Sequence, residues 1–254
     1  MQFQWQVDQT DIDHVKRFVA SHAANPFVRM RVERNLASAK PAVDRAEFWK
    51  QMVGMRMTSV QRSGPNSAVA KFLRTTPFPL EYDGFDRETD GEARRDLISS
   101  TLRAHGGIRF SDKIAEDLSR NLDKLNADQG WATTLKKVNA LALPSEARQE
   151  REVARYLQKL LHGFGPKQSR NLLQSLGLTR YEIPIDSRIT KWLNDFVFPV
   201  TLTATALADA GYYEFVLDGI QALCAASDVF PCVLDAAIFA SFDGDAWTQE
   251  NTIY

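Results

Sequence analysis

Apolar residues recur at three- and four-residue intervals along most of the chain from about residue 44 onward, the period of helices that bury one face. Alternation with a period of two is confined to Gln2 to Val7 and Phe78 to Tyr82, and it is weak in both. The pattern predicts a mainly α fold. One helix is predicted from about Arg45 through Phe72 with a break at Gly64-Pro65; a loop rich in Pro, Asp and Gly follows over Thr75 to Thr89 and separates two helical units. Further helices are predicted at Glu92 to Arg103, at Ser111 to Leu125 with Ser111 as its cap, and at Gly130 to Leu141. Pro144-Ser145-Glu146 marks a break and restart. Residues 1–44 are then an N-terminal segment packed on a core of residues 45–254.

The stretch from Arg151 to Phe196 divides into three short helices. Their stripes are Val153, Tyr156, Leu157, Leu160 and Leu161; Leu172, Leu173 and Leu176; and Ile189, Trp192, Leu193 and Phe196. Gly163-Phe164-Gly165-Pro166 joins the first two as a tight turn, in which the glycines permit positive φ and Pro166 suits a first helical position. Such a hairpin of helices leaves backbone N–H groups bare at the start of its second helix. With the positive end of the helix dipole, they form a phosphate site indifferent to base sequence. Lys167 follows in the first helical turn, where the dipole disfavours an ammonium and a lowered pKa would leave a larger fraction of nucleophilic amine. Asp186, nineteen residues on, precedes the third helix, where backbone N–H groups can hold its carboxylate facing the lysine. Asn171, one helical turn beyond Lys167, is expected to face the same cleft.

Charge narrows where a ligand can bind. Lys and Arg number 31 against 32 for Asp and Glu, so no global basic character marks a nucleic-acid binder, and any DNA contact must be local. Cys224 and Cys232 are the only cysteines, which excludes a four-cysteine iron–sulfur cluster and fits reduced core thiols. The four histidines are scattered, so neither a metal nor another cofactor is expected. The amino end lacks a signal-peptide pattern and no apolar run reaches membrane-spanning length, so the expectation is a cytoplasmic protein with no membrane partner, a monomer by default.

The residues His162-Gly163-Phe164-Gly165, then Pro166-Lys167, then Ile183-Pro184-Ile185-Asp186 at this spacing resemble the helix-hairpin-helix DNA glycosylase superfamily. The motif covers about 35 residues within 152–196. A lysine at the position of Lys167 resembles the bifunctional glycosylase/AP lyases, and among these the compact bacterial and archaeal 8-oxoguanine DNA glycosylases. The resemblance implies two helical lobes with double-stranded DNA in the cleft between them, excision of an oxidised purine by base flipping, and catalysis by Lys167 and Asp186 in nucleoid-associated repair. It also implies roles for Gly163, Phe164 and Gly165 on DNA; Arg170 and Arg188, read as helix arginines, are candidate phosphate contacts. The segment Phe48 to Val69 resembles the family's early helix and Gln-containing turn, which makes Gln61 a wedge into the DNA stack. Val233 to Phe239 resembles the late helix that closes the base pocket, with Asp235 on the base edge and Phe239 on its face.

Asp235 stands where eukaryotic-type enzymes often carry Gln; an acidic group suits the N1–H and N2–H₂ donors of guanine and equally a cytosine N4 donor. The absence of iron–sulfur cysteines separates the chain from the thymine-glycol and adenine-mismatch branches. Structural alternatives stay open for each residue: Asp186 as a simple N-cap, the glycines as a plain helix connection, Gln61 as a solvated turn residue, Phe239 as core. Three other functions also stay open: the same chemistry on another modified base, a lyase confined to existing abasic sites, and a non-catalytic helix-hairpin-helix DNA-binding module.

Overall fold

The computed structural model describes residues 4–59, 61–86, 90–196, 198–242 and 246–252, and no strand occurs among them. Thirteen α-helices follow in order: α1 (Gln9–His22), α2 (Pro26–Asn35), α3 (Arg45–Met57), α4 (Ala68–Arg74), α5 (Tyr82–Asp86), α6 (Gly91–His105), α7 (Ser111–Asn126), α8 (Gly130–Asn139), α9 (Ala147–Leu160), α10 (Pro166–Ser175), α11 (Ser187–Asp195), α12 (Ala210–Ala226) and α13 (Pro231–Phe242). The mainly α expectation holds.

Several local expectations are corrected. The N-terminal segment is itself helical: Asp8 and Asp11 form a reciprocal capping box at α1, and Asn25 followed by Pro26 starts α2. Residues 4–7 and 78–82 form no strand, and Tyr82 begins α5 inside the expected loop, of which residues 87–89 lie outside the described residues. The helix expected over Arg45 to Phe72 is two, α3 ending at Met57 and α4 starting only at Ala68 behind its Ser67 cap. Ser111 is the first residue of α7 rather than its cap; Phe110 takes the cap position in a left-handed conformation (φ 61°) with no side-chain bond.

The helices pack in two sets. α3 packs on α4, α5, α7 and α10; α6 on α7; and α9 on α8 and α10. α13 packs on α1, α2, α11 and α12. Apolar residues from Val15 to Trp247 form one continuous buried cluster through both sets. Trp49, Trp131, Trp192 and Trp247 belong to it, Trp5 packs against it, and Cys224 and Cys232 are buried free thiols.

Two buried carboxylates organise the loop between α10 and α11. Glu150 accepts from the N–H groups of Arg180 (2.9 Å), Tyr181 (2.8 Å) and Glu182 (3.0 Å) and from Ser145 Oγ (3.0 Å). Glu182 pairs with the guanidiniums of Arg151 (2.9 Å) and Arg170 (2.7 Å). Arg170 is therefore no phosphate contact: it is fully buried and donates to Pro166 O (3.0 Å) at the start of its own helix. Removing one partner of a buried pair leaves an uncompensated charge. Glu182→Ala is expected to cost about 3–5 kcal/mol of stability in equilibrium urea denaturation; a loss under about 1 kcal/mol would show that the pair does not hold this loop.

Candidate active site

The hairpin is clamped from α7. α9 ends at Leu160, Gly163 takes φ 77°, and Phe164 turns its ring into the core at 3% exposure. A Cβ on Gly163 would stand 2.6 Å from Asp117 Oδ2 and 2.8 Å from Arg56 Nε, so this glycine is required both by its backbone and by close approach. Buried Asp117 pairs with Arg56 (2.5 Å), Lys113 (3.2 Å) and His162 Nε2 (3.3 Å). Asn121 closes the clamp, accepting from His162 N (2.6 Å) and donating to His162 O (3.0 Å). Gly165 differs from the expectation: its φ is −79°, and a Cβ there would meet nothing within 4 Å. Its backbone therefore faces open space at the N-cap of α10, whereas the buried Phe164 side chain offers an outside ligand no surface.

Lys167 is half-buried in the first turn of α10, and its Nζ has no hydrogen-bond or ion-pair partner among the described residues. Burial pushes its pKa below the ordinary lysine value, and Arg188 adds to that; Asp186 and Asp235 pull the other way. Asp186 is the N-cap of α11. One carboxylate oxygen accepts from Arg188 N (2.8 Å) and Ile189 N (3.1 Å), and the other from the Arg188 guanidinium (3.1 Å). The preceding Ile183-Pro184-Ile185 is fixed by Tyr213, whose hydroxyl accepts from Ile185 N (2.6 Å) and donates to Ile183 O (2.9 Å). The Arg170 guanidinium lies over the Tyr213 ring at 4.7 Å, so the turn carrying Lys167 and the loop carrying Asp186 share one frame.

A cleft of about 1100 Å³ is lined by Lys167 and Asp186 together with Asn171, Asp235, Phe239, Arg188, Gln61 and Gly165. Residues separated by up to 178 positions in sequence, Gln61 and Phe239, thus meet at one opening, while Gly163 and Phe164 support it from behind. Gln61 does not stand out from its turn: its amide donates to Met57 O and its Oε1 accepts from Arg109 N (2.9 Å). Asn171 Nδ2 makes long bonds to Gln168 Oε1 (3.4 Å) and Thr58 Oγ1 (3.5 Å). Phe239 stacks on Phe27 at 4.8 Å, and the Arg188 guanidinium lies over its ring at 4.0 Å. Asp235 is buried, pairs with Arg31 (3.2 Å) and accepts from Gln174 Nε2. Burial pushes its pKa up to about 6 against the pull of Arg31.

Sequence reasoning missed Arg31, Gln174 and Phe27 on the cleft wall, and Phe110 near its rim. Phe110 is 52% exposed, left-handed and overlaid by the Arg109 guanidinium at 5.0 Å, beside the backbone N–H that holds Gln61. The Gly106-Gly107 pair ahead of an aromatic residue is the signal that could have found it, since both glycines take positive φ. Among the described residues, no group of three or more His, Cys, Asp or Glu is placed to hold a metal ion.

No family model and no curated protein matches the sequence. Two solved structures share its fold. The 8-oxoguanine DNA glycosylase of Thermotoga maritima aligns with a TM-score of 0.64 at 14% identity, over 93% of this chain and 98% of that one. The 8-oxoguanine DNA glycosylase of Methanocaldococcus jannaschii aligns with a TM-score of 0.62 at 14% identity, over 94% and 98%. The chain therefore has the all-helical fold of those proteins over nearly its whole length.

The pKa of Lys167 tests this electrostatic arrangement without any assumption about function. In ¹³C-dimethyl-lysine NMR titrations Lys167 is expected to titrate below the ordinary lysine value. Asp186→Asn removes an upward influence and lowers it further; Arg188→Ala removes a downward one and raises it. A titration at the ordinary value, indifferent to both substitutions, would contradict the assignment.

Proposed function

We propose that the protein is a DNA glycosylase with an accompanying AP lyase step, acting on duplex DNA that carries an oxidised purine, 8-oxoguanine in the first instance. The observation that carries this reading is the unpaired, half-buried Lys167 amine with its lowered pKa, sharing a cleft with the N-capped carboxylate of Asp186. The fold shared with two 8-oxoguanine DNA glycosylases supports it.

A stacked base does not present its sugar carbon to a protein nucleophile, so the nucleotide must leave the duplex, at a cost of a few kcal/mol. The bare N–H groups at the start of α10 would hold its phosphate. As the C1′–N9 bond breaks, its electron pair leaves with the base, which takes up a proton, and positive charge develops on the sugar. Ionised Asp186 stabilises that charge, and the neutral amine of Lys167 forms the new bond to C1′. Opening of the sugar ring gives a Schiff base. Loss of a C2′ proton then expels the 3′ phosphate by β-elimination and cuts the strand. Asn171 lies on the same face of α10, and exposed Phe110, together with Gln61 once released from Met57 O and Arg109 N, would fill the space left in the stack.

Borohydride trapping of the purified protein on duplexes carrying 8-oxoguanine, an abasic site or ordinary guanine tests the reading. A covalent adduct is expected on the first two, absent in Lys167→Gln. Asp186→Asn is expected to slow base release by about 100-fold, the order lost when one group stabilising transition-state charge is removed. No adduct on any duplex would sink the mechanism and leave a DNA-binding module; an adduct confined to the abasic duplex would leave a lyase alone.

A further inference from the structure

The cleft wall beyond Lys167 holds a polar cluster that the chemistry above leaves unused. Arg31 comes from α2, Gln174 from α10 two turns beyond Lys167, and Asp235 from α13; all three line the cleft and all are more than nine-tenths buried. Both bonds made by the Asp235 carboxylate fall on Oδ2, from Arg31 Nη1 and Gln174 Nε2, and Oδ1 receives none among the described residues. Arg31 Nε and Gln174 Oε1 are buried with no hydrogen-bond partner. Buried polar atoms are rarely left this way, because each loses its water without replacement, and two of them on one cleft wall call for a partner that enters from outside.

We propose that Arg31 and Gln174 are specificity-determining residues that, together with Asp235, read the pairing edge of a guanine-type base. The proposal rests on the reading of the cleft as a base-excision site. The three side chains leave one donor, Arg31 Nε, and two acceptors, Gln174 Oε1 and Asp235 Oδ1, without a partner among the described residues. An extrahelical base that satisfies them must carry one acceptor and two donors. Guanine alone among the four bases does so, with O6, N1–H and N2–H₂; adenine, cytosine and thymine each carry a single donor group on that edge and would leave one protein acceptor unpaired. Such a mismatch is costly in a site built around hydrogen bonds, more so than a mismatch of apolar shape. The bonds from Arg31 and Gln174 also fix the direction of the carboxylate, which settles the ambiguity of a lone aspartate between a guanine edge and a cytosine amino group. Helix α2 thus contributes directly to recognition.

The test compares single-turnover base release from duplexes carrying 8-oxoguanine or 8-oxoadenine, which share the oxidised five-membered ring and differ at the pairing edge. Arg31→Met and Gln174→Met are assayed alongside the parent, and all three are also trapped with borohydride on a preformed abasic duplex, which has no base to read. The parent is expected to release 8-oxoguanine more than about tenfold faster than 8-oxoadenine. Each variant should lose more than about tenfold on 8-oxoguanine while trapping abasic DNA within about twofold of the parent. Equal release of the two bases, release of neither alongside abasic trapping, or full activity in both variants would overturn the proposal. So would a parallel loss of base release and abasic trapping in both, since that marks a structural role. Failure of the parent to trap on abasic DNA would instead overturn the enzyme reading beneath it.

Discussion

Arg170 is fully buried, and a buried guanidinium is tolerated only where its lost hydration is replaced by charge and hydrogen-bond partners. Here the partners are Glu182, Pro166 O and the face of Tyr213, and each belongs to a different piece of the site. Pro166 begins the helix that carries Lys167. Glu182 opens the loop that ends at Asp186, and Tyr213 grips that loop at Ile183 and Ile185. The cation therefore couples the positions of two side chains that never touch. A hydrophobic residue of similar size could fill the volume, but it could not define the distance from helix start to loop end through directed bonds.

That separation has a chemical consequence. A lysine paired directly with a carboxylate is stabilised as the ammonium and loses nucleophilicity. Asp186 avoids this because its oxygens are engaged elsewhere, one by the first N–H groups of α11 and the other by Arg188. The N-cap is thus more than a device for starting a helix: it holds the negative charge near Lys167 while keeping it out of contact. Burial and Arg188 then act on the amine in the direction that frees it.

The hairpin and its two polar residues were legible in the sequence because their geometry is local: a turn, a proline at a first helical position and an aspartate before an amphipathic helix all act within a few residues of themselves. Gly165 was misjudged, since a glycine with ordinary φ and open space beside it looks in sequence like one needed for positive φ. α2 was missed for a different reason. Its inward face carries Arg31 and Asn35, and Asn35 donates to Gln174 O and Thr179 O, so polar residues interrupt the apolar stripe where the burial is deepest. Arg170 looked like a surface arginine because nothing nearby in sequence announces that Tyr213 and Glu214 will pack against it. Asp235 was placed on the cleft wall by resemblance, but its dependence on α2 lay 204 residues away.

Near-neutral charge now has a structural reading. Arg31, Arg56, Arg151 and Arg170 are engaged by buried carboxylates, so a count of basic residues overstates the charge available to a polyanion. Affinity for nucleic acid that rests on many phosphate contacts is strong, indifferent to sequence and steeply dependent on salt. Arginines kept inside contribute little to that term, and selectivity for any ligand then rests on the cleft, where it either satisfies the buried groups or leaves them unpaired. The internal ion pairs that fix the frame of Lys167 and Asp186 thus also set how much charge the surface can contribute.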